Sequence, residues 1–129
     1  MFFITSQEDI HKPSIFFAKE GNYISDCNFE NVNINLSSGN LIINSITTFN
    51  STIESYQSVL VVDSSNINGN VVCDQTEFNF NQSSITGNNY GIKLVDSSFE
   101  ITDSDISMNA DDGVVIYNCY SRNEIKIVL

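Results

Sequence analysis

The sequence predicts an all-β chain wound as a parallel β-helix, on three observations: an internal repeat, strand periodicity within each copy, and turn-forming residues between strands. Residues 83–98 (SSITGNNYGIKLVDSS) recur as residues 104–119 (SDISMNADDGVVIYNC). Ser83, Ile85, Asn88, Gly91, Ile92, Leu94 and Asp96 thereby align with Ser104, Ile106, Asn109, Gly113, Val114, Ile116 and Asn118. A period of 21 to 22 residues is that of one supersecondary unit stacked on copies of itself. Apolar and polar residues alternate in Val32-Asn33-Ile34-Asn35-Leu36, Phe78-Asn79-Phe80-Asn81 and Ile92-Lys93-Leu94-Val95, which is strand periodicity. Asn, Ser, Gly and Asp, which tolerate left-handed backbone or hydrogen-bond their own turns, separate these runs. A unit with two or three short strands and no helix closes one rung, each strand pairing in parallel with its equivalent one rung away.

Taken from the N-terminus, residues 1–24 stand outside the repeat. Met1 to Ile4 and Ile15 to Phe17 are apolar clusters around a polar stretch holding Pro13, suited to capping the first rung, since an open solenoid end exposes backbone and core. Residues 25–129 are expected to form the β-helix, loosely patterned over 25–58 and closely over 59–129. Leu60-x-Val62-x-Ser64-x-x-Ile67-x-Gly69-Asn70 matches Phe78-x-Phe80-x-Gln82-x-x-Ile85-x-Gly87-Asn88 at an offset of 18, and then Phe99-x-Ile101-x-Asp103-x-x-Ile106-x-Met108-Asn109 at 21. Ile67, Ile85 and Ile106 should therefore form one inward column, with Asn70, Asn88 and Asn109 stacked at turns. A further column is read through Val72, Leu94 and Ile116 at steps of 22. The final alternating run, Glu124 to Leu129, stops without a cap, as expected of a piece of a longer solenoid with a C-terminal rung open to self-association.

The chain has 129 residues, enough for one domain, with 41% hydrophobic residues to build a core. Five Lys and Arg against 16 Asp and Glu give a net charge of −11, which disfavours nucleic acid and anionic lipid as partners. No apolar run approaches a membrane span, so membrane insertion is not expected. The four apolar residues at the start are too few for a signal-peptide core, which points to the cytoplasm unless a signal peptide is missing. Cys27, Cys73 and Cys119 form no CxxC pair; Cys73 is read in register with Val95 and Tyr117, and Cys119 with Ser97. That separates Cys73 and Cys119 by two rungs, about 10 Å and beyond disulfide reach, so free thiols are expected.

The phrase Ser-x-Ile-x-x-Asn-x-x-x-Gly-Ile-x-Leu, at Ser83 to Leu94 and in close variant at Ser104 to Ile116, resembles the repeat of the right-handed parallel β-helix proteins of the pectate-lyase-like superfamily. The Asn, Ser and Ile bias is similar to that of amoebal cell-surface β-helix ectodomains. These resemblances imply a right-handed coil, about five rungs and an extracellular setting. They also draw attention to Asp103, Asp105, Asp111 and Asp112, because Asp111-Asp112-Gly113 resembles the paired aspartates of polygalacturonase-like enzymes, acid and base around a glycosidic bond. The resemblance lacks its other parts: the single histidine is His11, outside the repeat, and Arg122-Asn123-Glu124 stands where Arg-x-Lys is required.

Plain turn chemistry accounts for the Asp-Asp-Gly segment. Asp96, with the same four aspartates, could offer oxygen ligands to calcium, but no Asp-x-Asp-x-Asp-Gly loop is present. His11 with Glu8 and Asp9 reads as exposed polar surface rather than a metal site, and no cofactor is called for. Three glycosylation patterns, at Asn35, Asn50 and Asn81, are what composition alone produces in a chain this rich in Asn, Ser and Thr. The expected function is a non-catalytic scaffold for cell-surface recognition or adhesion, contacting glycans or proteins, with a polysaccharide-active enzyme fragment as the alternative.

Overall fold

The computed structural model describes residues 2–5, 13–86, 90–109, 111–122 and 127–128. Among the described residues there are fifteen strands and no helix, and every strand pairing is parallel. The chain is a parallel β-solenoid of about five turns, and each full rung has three faces joined by three corners. The first face stacks residues 14–18, 33–37, 52–56, 70–74, 91–95 and 113–117. The second stacks residues 22–25, 40–44, 59–63, 77–81, 98–102 and 120–121. The third stacks Phe2–Thr5, Cys27–Glu30, residues 47–49 and 66–68, Ser84–Thr86, Ser104–Ile106 and Ile127–Val128.

Alternation on each strand sends every second side chain inward, and equivalent side chains stack at the rung spacing of about 4.8 Å. The expected column through Ile67, Ile85 and Ile106 is present and fully buried. The second face contributes Leu41–Leu60–Phe78–Phe99 and Ile43–Val62–Phe80–Ile101. The first contributes Ile34–Ile53–Val71–Ile92. These members are buried in one core, each fully buried Leu, Ile, Val or Phe stabilising by about 1.5–3 kcal/mol.

Three expectations are corrected. Residues 14–24 are not set apart from the coil: Ile15 and Phe17 pair with Ile34 and Leu36 and pack on the core, making these residues a rung. The corner that follows, with Lys19 and Gly21 both at positive φ and a register shift between Lys19 and Asn22, breaks the phrase a sequence comparison would follow. Cys73 stacks on Leu94 and Ile116, one residue away from the expected Val95 and Tyr117. Asn70 lies within a strand opposite Thr52, whose hydroxyl donates to Asn70 Oδ1 at 2.6 Å, whereas Asn109 lies beyond the strand Ser104–Ile106. The step from Asn70 to Asn109 therefore joins a strand to a corner; Asn88 is outside the described residues. The two register slips share a physical reason: later rungs lengthen at the third corner, so a phrase aligned before it slips after it.

Corners are built by left-handed residues in register. Between the first and second faces these are Lys19, Ser38, Gln57, Gln75, Asp96 and Asn118; between the second and third, Asp26, Ser45, Ser64, Gln82 and Asp103. Their backbone N–H groups still donate to the next rung, as Ser45 does to Asp63, Ser64 to Asn81 and Gln82 to Thr102, so the ladder runs through the bend. At the third corner Gly69 has φ 147°, and a Cβ there would lie 1.7 Å from the Ser51 carbonyl oxygen, which only glycine avoids.

The residue after six of these left-handed positions, Gln57, Ser64, Gln75, Gln82, Asp96 and Asp103, is the least expected feature, a buried hydroxyl. Ser65 Oγ accepts from the N–H of Ile46 and donates to Asp63 O; Ser83 accepts from Ser65 and donates to Asn81; Ser104 accepts from Ser83 and donates to Thr102. The neighbouring corner repeats this with Ser58, Ser97 and, in the last place, Cys119, whose Sγ accepts from the Ser97 N–H at 3.4 Å, while Thr76 Oγ1 donates to Asp74 O and shares a hydrogen bond with Ser55 Oγ. The expected alignment of Cys119 with Ser97 is present. Ser65, Ser83, Ser97 and Ser104 each supply a partner to a buried N–H that the corner has turned away from the sheet.

Candidate ligand-binding groove

A shallow groove of about 600 Å³ runs along the outside of the second face. Two neighbouring outward columns line it. One reads Tyr23, Ile42, Val61, Asn79, Glu100 from rung to rung, and the other Asn44, Asp63, Asn81, Thr102. The first column begins apolar, with Tyr23 and Ile42 59% and 46% exposed, and turns polar at Asn79. The second is a ladder of side chains: Thr102 Oγ1 donates to Asn81 Oδ1 at 2.6 Å, Asn81 Nδ2 donates to Asp63 Oδ1 at 3.0 Å, and Asn44 Nδ2 donates to the Tyr23 hydroxyl at 3.4 Å. These bonds hold the amides and carboxylate in fixed order at the rung spacing.

At the far end Arg122 reaches back across the face. Its Nη1 donates to Glu77 Oε1 at 2.8 Å, and its Nη2 to Phe78 O and Asn79 Oδ1, both at 2.7 Å. That pairing engages Glu77, leaving Asp63 and Glu100 as the groove's own carboxylates. Chemically the arrangement offers an aromatic and aliphatic strip beside fixed hydrogen-bonding groups, the make-up of a recognition surface. Sequence reasoning missed it because outward residues of successive rungs differ and form no motif.

The aspartates singled out from the sequence are spread around the coil. Asp103 is an exposed left-handed corner residue stacked above Gln82; Asp105 lies on the outer side of the third face, opposite Ser84. Asp111 and Asp112 are exposed at the opposite corner, where Asp112 starts a strand in register with Tyr90. Asp96 occupies yet another corner, its carboxylate accepting from Asn118 Nδ2. Among the described residues, no three Asp, Glu, His or Cys side chains converge where they could hold a metal ion. Glu8, Asp9, His11, Asn123 and Glu124 lie outside the described residues.

Cys27, Cys73 and Cys119 are free thiols. Burial, with a smaller contribution from Cys119, pushes the Cys73 thiol far above its ordinary value, so it stays protonated and behaves as a small apolar side chain. Among the described residues, no helix is long and apolar enough to cross a membrane. No protein-family model matches the chain, and no curated protein or solved structure matches it either.

Proposed function

We propose that this solenoid is a non-catalytic scaffold for recognition at the cell surface, and that the second-face groove is where it binds extended glycans. The observation that carries this reading is the pairing, within one groove, of the exposed Tyr23 and Ile42 with the ordered Asn44, Asp63, Asn81 and Thr102. A pyranose ring has an apolar C–H face that lies on aromatic or aliphatic surface and a rim of hydroxyls that needs amide, hydroxyl and carboxylate partners. A glycan chain laid along the coil axis would meet a new pair of outward side chains at every rung, about 4.8 Å apart. Placement in the pectate-lyase-like superfamily, with its right-handed coil, and kinship with amoebal surface ectodomains belong to this same proposal, supported by the repeat phrase and composition.

The test is a glycan array followed by titration of whatever binds. Tyr23→Ala, an exposed position, should weaken binding by about tenfold, a loss of roughly 1.4 kcal/mol, without moving the melting temperature. Binding unchanged by Tyr23→Ala and by Asn81→Ala would remove the groove from the reading. Release of reducing ends from a bound polysaccharide, abolished by Asp112→Asn, would overturn the non-catalytic assignment.

A further inference from the structure

The side-chain ladder along the second-face groove is broken at one step. Thr102 donates to Asn81 and Asn81 donates to Asp63, so the bonds all point one way and end on the Asp63 carboxylate, whose Oδ2 receives no hydrogen bond among the described residues. One rung away Asn44 stands in register with Asp63, but its amide donates to the Tyr23 hydroxyl and accepts from Ser45 instead. Beside this gap the neighbouring column presents Ile42 and Val61, also register partners. The gap therefore sets an aliphatic floor next to a carboxylate, which can only accept and has lone pairs left to fill.

The charge around the gap is of one sign. Glu100 lines the same groove two rungs beyond Val61. Among the described residues Arg122 is the one cation at this face, and its guanidinium is engaged by Glu77, Phe78 O and Asn79. Lys93 lies on the outer side of the first face and Lys19 at a corner.

Resting on the glycan reading above, we infer that this gap is the subsite that sets specificity: it takes an uncharged pyranose, two of whose neighbouring hydroxyls donate to Asp63, and it rejects uronate and sulfated sugars. The apolar face of the ring lies on Ile42 and Val61, which brings its rim of hydroxyls to the carboxylate. Hydrogen bonds to a charged acceptor are about twice as strong as neutral ones, so Asp63 carries more of the selection than the amides beside it. A uronate ring keeps those hydroxyls but adds a group that only accepts, repelled by Asp63, Glu100 and a chain of net charge −11.

The experiment uses matched probes: oligogalacturonate, oligomannuronate and oligoglucuronate, each beside its twin with the carboxylates reduced to primary alcohols. They are arrayed, and the pairs that bind are titrated in solution against the full chain. Reduced twins should bind at least about tenfold more tightly than their uronates, and the preference should narrow between about 0.01 M and about 1 M salt, as the screening length falls from about 30 Å to about 3 Å. Asp63→Asn, which keeps an oxygen for Asn81 Nδ2, should weaken the reduced twin several-fold and shrink the preference, with an unchanged melting temperature. Ile42→Asn, at a position 46% exposed, should weaken both twins alike and leave the preference as it was. Glu54→Gln, exposed on the first face, should alter neither. Uronates that bind as tightly as their reduced twins would overturn the inference and leave the glycan reading standing. A preference that survives Asp63→Asn, or that falls equally with Glu54→Gln, would overturn the Asp63 subsite. Silence from every pair would remove the glycan reading and this inference with it.

Discussion

Two buried columns, two residues apart in the chain, follow the same spacing of 18 and 21 residues through the middle of the solenoid. Ile67, Ile85 and Ile106 stack their apolar side chains inside the third face; Ser65, Ser83 and Ser104 stack hydroxyls at the corner just before it. The apolar column is tolerant in kind, as the second face shows by exchanging Leu60 for Phe78 and Val62 for Phe80 at equivalent positions. The hydroxyl column is narrow in kind. Its members must be small, accept one N–H from the rung before, and donate to a carbonyl two residues back, and the adjoining corner meets the same demand with Ser58 and Ser97. Apolar columns supply most of the stabilising free energy, while corner columns supply hydrogen-bond partners where the bent sheet would leave donors unpaired.

The largest effect comes from breaking the apolar column. Ile85→Asp puts a carboxylate at a position with no exposure, among Ile67, Ile106 and the surrounding core, with no partner for its charge. Burying an unpaired charge costs on the order of 5 kcal/mol or more, comparable to the whole stability of a small domain. The variant should show no cooperative thermal transition by circular dichroism. An unchanged melting temperature would mean that the column is not inside.

Breaking the hydroxyl column should cost less. Ser83→Ala removes the acceptor for the buried Ser65 N–H, now at 3.1 Å, and the donor to Asn81 O, now at 2.8 Å. An unsatisfied buried donor costs about 1–3 kcal/mol, so the chain should still fold, with a reduced denaturation midpoint and an unaltered denaturant slope. Hydrogen exchange should accelerate at the Ser65 amide in particular. No loss of stability would show that water or a backbone group serves Ser65 instead.

The two columns also differed in how readily the sequence disclosed them. Ile67, Ile85 and Ile106 stand out because an apolar residue recurring among polar ones has a single reading, inside. Ser65, Ser83 and Ser104 recur at the same spacing, yet serine next to a turn reads equally well as exposed turn chemistry, so its burial was not legible. The first face was read one residue out at Cys73 because the third corner changes length between rungs, and a fixed step of 22 crosses that change. Of the candidate sites, the acidic residues were visible as acids, but the corner or face each occupies depends on the winding. The groove on the second face was invisible for the opposite reason: Tyr23, Ile42, Val61, Asn79 and Glu100 become neighbours only once register is known.

The finest distinction lies at Cys119, where the corner column ends in a thiol rather than a hydroxyl. Its Sγ donates to Tyr117 O at 3.0 Å and accepts from the Ser97 N–H at 3.4 Å, the two bonds that Ser97 Oγ makes to Val95 O and the Thr76 N–H. If the column asks only for a small group able to donate and accept, Cys119→Ser should preserve stability or raise it slightly, because oxygen is the stronger partner for both bonds. Cys119→Ala should then lose about 0.5–1.5 kcal/mol, the usual net value of one such hydrogen bond. Cys119 is half-buried where Ser97 is buried, which holds the alanine loss toward the lower end of that range. Paired denaturation curves for the two variants decide the point. Equal stability for serine and alanine would mean that the position is occupied for volume alone, and that the hydrogen-bonded column ends at Ser97.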